Sequence, residues 1–153
     1  MSLIIVRRSK QVSIKVIQSV ILNLMSTSKI VKIVYAPMSA DIVHPGHLNV
    51  IHEGSKFGEV TIGLLTDEAI ASKKRLPVMN YSQRYAVMSN IKNVSSVIPQ
   101  ATPDYRPNLL KLKPDYVIHG NDWTEEARKT VSDTISEWGG TVVEVDYTSN
   151  VSS

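Results

Sequence analysis

No cysteine occurs anywhere in the 153 residues. That removes disulfides, thiolate metal sites and thiol nucleophiles, and accords with a reducing, cytoplasmic setting. Nor does any apolar run reach the roughly 18 residues that a membrane span requires. The first 40 residues contain no acid at all, only Arg7, Arg8, Lys10, Lys15, Lys29 and Lys32. Residues 41–153 hold the other 11 basic residues and all 14 acids, so the net charge of +3 comes from the N-terminal segment. No aromatic residue interleaves with those basic residues before Tyr35, which argues against nucleic-acid recognition. Internal repeats and low-complexity linkers are absent too. What is present, 42% hydrophobic and 20% charged residues, is the balance of one globular domain with a sizeable core.

Residues 1–28 read differently from the rest. Being basic and acid-free they suit a targeting segment, yet they lack a clear apolar core and a small-residue cleavage site. Their apolar positions fit neither the helical nor the strand period. The expectation is an extension outside the domain that packs poorly or serves an oligomer contact.

From Lys29 onward the pattern is regular. Strands are expected at 30–36, 59–66, 94–99 (stopped by Pro99), 115–120 and 141–147. Helices are expected at 46–57, 67–74, 81–91, 105–113 and 124–140, the last stopped by Gly139-Gly140. Strands alternating with helices across short connections give a parallel sheet with helices on both faces. Such sheets bind ligands at the carboxyl ends of their strands. That draws attention to residues 36–47, 66–75, 119–123 and 147–153, segments that converge only around a nucleotide-sized ligand.

The first of these holds His44 and His47 around Pro45-Gly46 at an expected helix start. Gly46 lets backbone come close to a ligand. Free N–H groups and the positive end of the helix dipole attract anions. Imidazoles donating there would add charge-assisted hydrogen bonds to phosphate oxygens. Zinc is a weaker reading, since no third ligand sits at a familiar spacing. The plain alternative is a turn with two surface histidines, and the spacing alone does not separate it from an anion site.

The segment 44–47, "HPGH", with Asp41 three residues before it, resembles the HxGH signature of the nucleotidyltransferase superfamily. "KRLPVMNYSQRY" (74–85), "HGNDW" (119–123) and "YTSNVSS" (147–153) resemble further motifs of its cytidylyltransferase branch, in the same order. "GEVTIGLLTDEAIASKKRLP" and "EWGGTVVEVDYT" are similar to the nucleotidyltransferase domain associated with phosphoenolpyruvate phosphomutase in phosphonate biosynthesis. The resemblance implies a Rossmann-like five-stranded sheet over residues 29–153. It also implies transfer of CMP from CTP to a small phosphonate or phosphate monoester, such as 2-hydroxyethylphosphonate, with release of pyrophosphate. Mg²⁺ is implied on the triphosphate, a homodimer as the assembly, and a phosphomutase domain or protein as pathway partner. Neither nucleic acid nor a membrane is implied.

By the same resemblance His44 and His47 contact the triphosphate, Lys74 bridges the acceptor and the α-phosphate, and Arg84 lies near both. Lys73 aligns less well. Met38, Ser39, Ala40, Asp41 and Gly46 would line the nucleotide and acceptor pocket. His119, Gly120, Asn121, Asp122 and Trp123 would lie near the cytidine. Tyr147 and Thr148 belong to the C-terminal motif, in which Ser152 and Ser153 donate to the β- and γ-phosphates. Each has a plainer reading: a solvated basic loop at 73–75, a packed Trp123, Arg84 paired with an acid, an Asp41 that orients its loop, and structural roles for His52 and His119. The chain also departs from the pattern. Asn121 stands in place of an acid, Lys92 in place of an arginine, and Asn150 in place of a glycine. The expected threonine and helix beyond Ser153 are not in the sequence, and weaker triphosphate binding is expected to follow. A glycerol-phosphate or ethanolamine-phosphate type cytidylyltransferase, an adenylyltransferase of the same superfamily and a non-catalytic nucleotide-binding module are the alternatives.

Overall fold

The structure is a computed structural model that describes residues 14–26 and 31–146. The chain divides into two units, Met1–Ile30 and Val31–Ser153. In the first, Ile14–Ser26 forms a helix, α1. Helical structure here departs from the reading of the sequence. Within this stretch Val16, Ile17, Val20 and Ile21 fall at helical spacing, a period hidden when residues 2–13 are read with them. These four side chains and Ile14 are exposed.

The second unit is a five-stranded parallel sheet built from β1 (Ile33–Met38), β2 (Glu59–Leu65), β3 (Val94–Gln100), β4 (Tyr116–Gly120) and β5 (Thr141–Val145). Its helices are α2 (Pro45–Gly54), α3 (Asp67–Ala71), α4 (Tyr81–Met88), α5 (Arg106–Leu112) and α6 (Glu125–Ser136). The strand order is β3-β2-β1-β4-β5. This is the Rossmann-like arrangement, with the expected five strands in the expected sequence. After β3 the chain crosses back to the other side of β1. The C-terminal ends of β1 and β4 therefore flank the switch point, where open α/β sheets take their ligands.

Alternation along the strands divides the core between the two faces. Val34, Ala36 and Met38 of β1 join Ile62, Leu64, Ile51 of α2 and Met88 of α4 in one buried cluster. Tyr35 joins Val117, Leu109 of α5, and Val131 and Ile135 of α6 in the other. Tyr35 lies flat across Gly63 on the neighbouring strand, and a Cβ at that glycine would run into the phenol ring. The Tyr35 hydroxyl donates to Gln100 Oε1 (2.6 Å) and accepts from Asn108 Nδ2 (2.9 Å), tying the end of β3 to α5.

Several expected boundaries are corrected, two of them instructively. Pro99 does not stop its strand: β3 runs on to Gln100, with Pro99 paired against Leu64. β3 is an edge strand, where a missing N–H is tolerated. The helix expected at 124–140 ends at Ser136, and Gly139 turns the chain at φ 82°.

Candidate active site

The connection from β1 to α2 is built by unusual backbone. Ala40 is buried and held at φ 48°, in left-handed space that costs an alanine energy. The chain then reaches His44, the N-cap of α2, with Pro45 preset for the first helical turn. The two histidines themselves cap this helix. His44 Nδ1 accepts from Gly46 N–H (3.1 Å), and His47 Nδ1 accepts from His44 N–H (3.4 Å). An Nδ1 that accepts carries no proton, so each neutral ring is protonated at Nε2. The rings lie 4.0 Å apart between centroids. The pair thus offers two Nε2–H donors, while the first-turn N–H groups of Gly46 and His47 are already used, by His44 Nδ1 and His44 O respectively. The free backbone donors expected from the sequence are therefore replaced by imidazole donors.

Burial, the neighbouring His44 and the Lys74 ammonium together push His47 down to about 4. Burial thus disfavours the imidazolium form of His47, and its neutral Nε2–H would still make a charge-assisted bond to an anionic phosphate oxygen. The positive charge here comes from Lys74, which is exposed and close enough to His47 to oppose its protonation.

Arg84 occupies a different place from the one the resemblance gives it. It is 0% exposed. Its guanidinium donates to Met79 O (3.0 Å), Ser39 O (2.7 Å), Leu65 O (2.7 Å) and Asp67 Oδ1 (2.6 Å). One buried fork thus joins the loop after β1, the end of β2, and residues 72–80 between α3 and α4. Its partner is indeed an acid, Asp67, which also accepts from Tyr81 N–H. Asp41, likewise buried, faces away from solvent into that same 72–80 segment, through Val78, Met79 and Arg75.

At the end of β4, His119 donates from Nδ1 to Gly120 O (2.7 Å), so its Nε2 accepts from the Tyr105 hydroxyl (3.2 Å). Burial and the charge of Asp122 push Tyr105 up to about 12, keeping that hydroxyl protonated as the donor. Trp123 stacks on His119 at 4.5 Å with 9° between planes, and its Nε1 donates to Glu144 Oε1 (3.0 Å). Arg128 Nε holds the same carboxylate oxygen at 2.9 Å. Asn121 N–H donates to Val145 O (3.2 Å). The polar atoms of His119 and Trp123 are thus spent on the protein itself. What the loop offers outward is the Asn121 and Asp122 side chains, the latter 64% exposed.

The structure therefore sets Met38–Asp41, Gly46 and the two histidines beside the switch point, with Gly120–Trp123 closing the end of the neighbouring strand. Lys74 stands close to His47, while Arg84 lies beneath the loops. Tyr147, Thr148, Ser152 and Ser153 lie outside the described residues. The supporting residues Asp67, Arg75, Tyr105 and Glu144 were not legible in the sequence, because their partners lie in other loops. Among the described residues no three His, Asp or Glu side chains converge as a metal cage, and no helix is long and apolar enough to cross a membrane.

A parallel sheet with a histidine pair at the helix start beside its switch point defines a nucleotidyltransferase-type fold. Residues 35–151 match the Cytidylyltransferase-like family, and the chain belongs to that family. It is 37% identical to the ethanolamine-phosphate cytidylyltransferase of Mus musculus over 86 residues, 55% of this chain and 21% of that protein. It is 34% identical to the FAD synthase of Archaeoglobus fulgidus over 82 residues, 54% of this chain and 60% of that protein. In both cases the match spans less than two thirds of the relative. Among solved structures, the lipopolysaccharide core biosynthesis protein from Thermoplasma volcanium superposes with a TM-score of 0.65 at 27% identity, covering 77% of this chain and 97% of that one.

Proposed function

We propose that this chain is a cytidylyltransferase that moves CMP from CTP to a small phosphate or phosphonate monoester and releases pyrophosphate. The observation that carries the reading is the histidine pair. Two Nε2–H donors sit at a helix start beside the switch point, within electrostatic reach of the Lys74 ammonium on the 72–80 connection. That arrangement suits a reaction whose nucleophile needs no activation.

An anionic oxygen of the acceptor attacks the α-phosphorus in line. The new oxygen–phosphorus bond forms as the bond to the β-phosphate bridge breaks, and pyrophosphate leaves with the electron pair. His44 and His47 donate to the triphosphate oxygens on which charge grows, and Lys74 draws acceptor and α-phosphate together. Catalysis is then positioning and charge stabilisation. Mg²⁺ would arrive as part of the nucleotide substrate, held by phosphate oxygens and water, since Asp41 is already committed to protein partners.

A phosphonate is the favoured acceptor. The stretches 58–77 and 137–148 resemble the phosphomutase-associated domain, and Lys92 lacks the bidentate fork of the arginine usual in choline- and glycerol-type enzymes. A homodimer is part of the same proposal. The likeness to an FAD synthase favours adenylyl transfer as the second reading.

Pyrophosphate release is the test, with Mg²⁺, CTP or ATP, and a panel of 2-hydroxyethylphosphonate, 2-aminoethylphosphonate, glycerol phosphate, phosphocholine and phosphoethanolamine. Release with CTP and a phosphonate supports the full reading. Release with ATP alone moves the chain to adenylyl transfer, and release with phosphocholine alone removes the phosphonate.

A further inference from the structure

We propose that Asp41 is a positioning residue that ties the Lys74-bearing segment to the loop leading into the histidine turn and so fixes where the Lys74 ammonium stands. The kinetic part of this inference rests on the nucleotidyl-transfer reading; the structural part does not.

Residues 72–80 join α3 to α4 without regular structure, and they are poorly anchored by apolar packing: Leu76 and Val78 are 67% and 69% exposed. Polar bonds supply the order instead. Asp41 Oδ1 accepts from Val78 N–H (2.6 Å) and Met79 N–H (3.2 Å), and Oδ2 pairs with Arg75 at 3.1 Å. Arg75 closes the turn further by donating to Leu76 O (2.8 Å). A single carboxylate thus grips the segment on both sides of Leu76 and Pro77, starting at the residue next to Lys74. Asp41 itself is 4% exposed, and it directly follows the left-handed Ala40. Strained backbone of this kind persists where the surroundings require it, commonly at functional sites.

Lys74 makes no ion pair of its own among the described residues. Its side chain is long and its place depends on the backbone beneath it. Loss of the Asp41 knot would leave the ammonium sampling positions away from His47, which costs rate more than nucleotide affinity.

Three adjacent trypsin sites, Lys73, Lys74 and Arg75, make the tether directly readable. Wild type, Asp41→Ala, Asp41→Asn, Lys74→Ala and the double variant Asp41→Ala/Lys74→Ala would be compared. Cleavage at 73–75 should be about tenfold faster in Asp41→Ala than in wild type, because local opening sets the rate. Asp41→Asn, which keeps an acceptor for both N–H groups but loses the Arg75 pair, should fall between them. In the transfer assay, Asp41→Ala should lose kcat with nucleotide KM held within about twofold, and the double variant should lose no more than Lys74→Ala alone. Equal trypsin rates in wild type and variant would overturn the tether, as would losses that multiply in the double variant. Should Asp41→Ala fail to fold by circular dichroism, Asp41→Asn carries the same comparisons. A chain without transfer activity would sink the functional reading while the trypsin rates still decide the tether.

Discussion

At the scale of single residues, the histidine pair caps its helix with one nitrogen of each ring and, in the proposed reaction, serves the triphosphate with the other. Nδ1 of each ring serves the helix cap, leaving Nε2–H for a ligand. The two jobs can be separated. Asparagine is among the best N-cap residues, so His44→Asn should stay close to wild type in stability, whereas His44→Ala should lose about 1 kcal/mol in urea unfolding. Both should lose turnover, since neither supplies the outward donor. Titration adds a second expectation. His47 is depressed to about 4 against an ordinary value of 6.5. The unfolded chain therefore binds a proton between those values that the folded chain refuses. Its contribution to stability is complete above about pH 6.5 and is lost as pH falls toward 4. Urea midpoints in wild type and His47→Gln should therefore converge as pH falls from 7 to 4. A constant difference across that range would contradict the assignment. The sequence made the pair visible, because spacing and the Pro-Gly between them are local. It could not show which nitrogen is tied, which takes the geometry of the turn, or that His47 is held neutral, which follows from burial, His44 and Lys74, the last 27 positions away.

At the scale of elements, the strand–helix alternation was legible because buried parallel strands read as short β-branched runs between helix starts. Thr66, Asn80 and Thr124 each accept from a first-turn N–H and set where α3, α4 and α6 begin. What misled was context. Pro99 reads as a terminator until β3 proves to be an edge, and α1 is obscured by the residues before it. Arg84 is the plainest case. The resemblance places it near the acceptor and phosphates, but in the structure the fork points into the protein and joins three segments. Removing one member of a buried charged pair leaves the rest unsatisfied, so Arg84→Ala should cost about 3–5 kcal/mol in equilibrium unfolding. Arg84→Lys should recover part of the stability, because one ammonium replaces a fork. Near-wild-type stability in Arg84→Ala would argue that this residue is free to meet a substrate after all.

At the scale of the whole molecule, the order β3-β2-β1-β4-β5 explains how segments as distant in sequence as those of His44, Lys74 and Trp123 follow the ends of three adjacent strands. β1 is central, β4 is its neighbour across the switch point, and the loops that follow them carry the two most specific motifs. The 72–80 segment comes in from the β2 side, fastened by Arg84 and Asp41. Under the proposed reading the fold sets where the nucleotide binds, at the switch point. In that reading the acceptor would be chosen by side chains of these loops, on which no pattern of hydrophobicity reports.

The central claim is attack at the α-phosphorus of a nucleotide. The most direct measurement follows the phosphorus: CTP labelled at the α-position in one reaction and at the γ-position in another, with Mg²⁺ and the phosphonate and phosphate acceptors. The account predicts that α-label moves onto the acceptor as a CMP adduct, that γ-label leaves in pyrophosphate, and that Lys74→Ala slows both by about 10²- to 10³-fold. Label from the γ-position on the acceptor, or no α-label transferred from CTP or ATP to any acceptor, would contradict it.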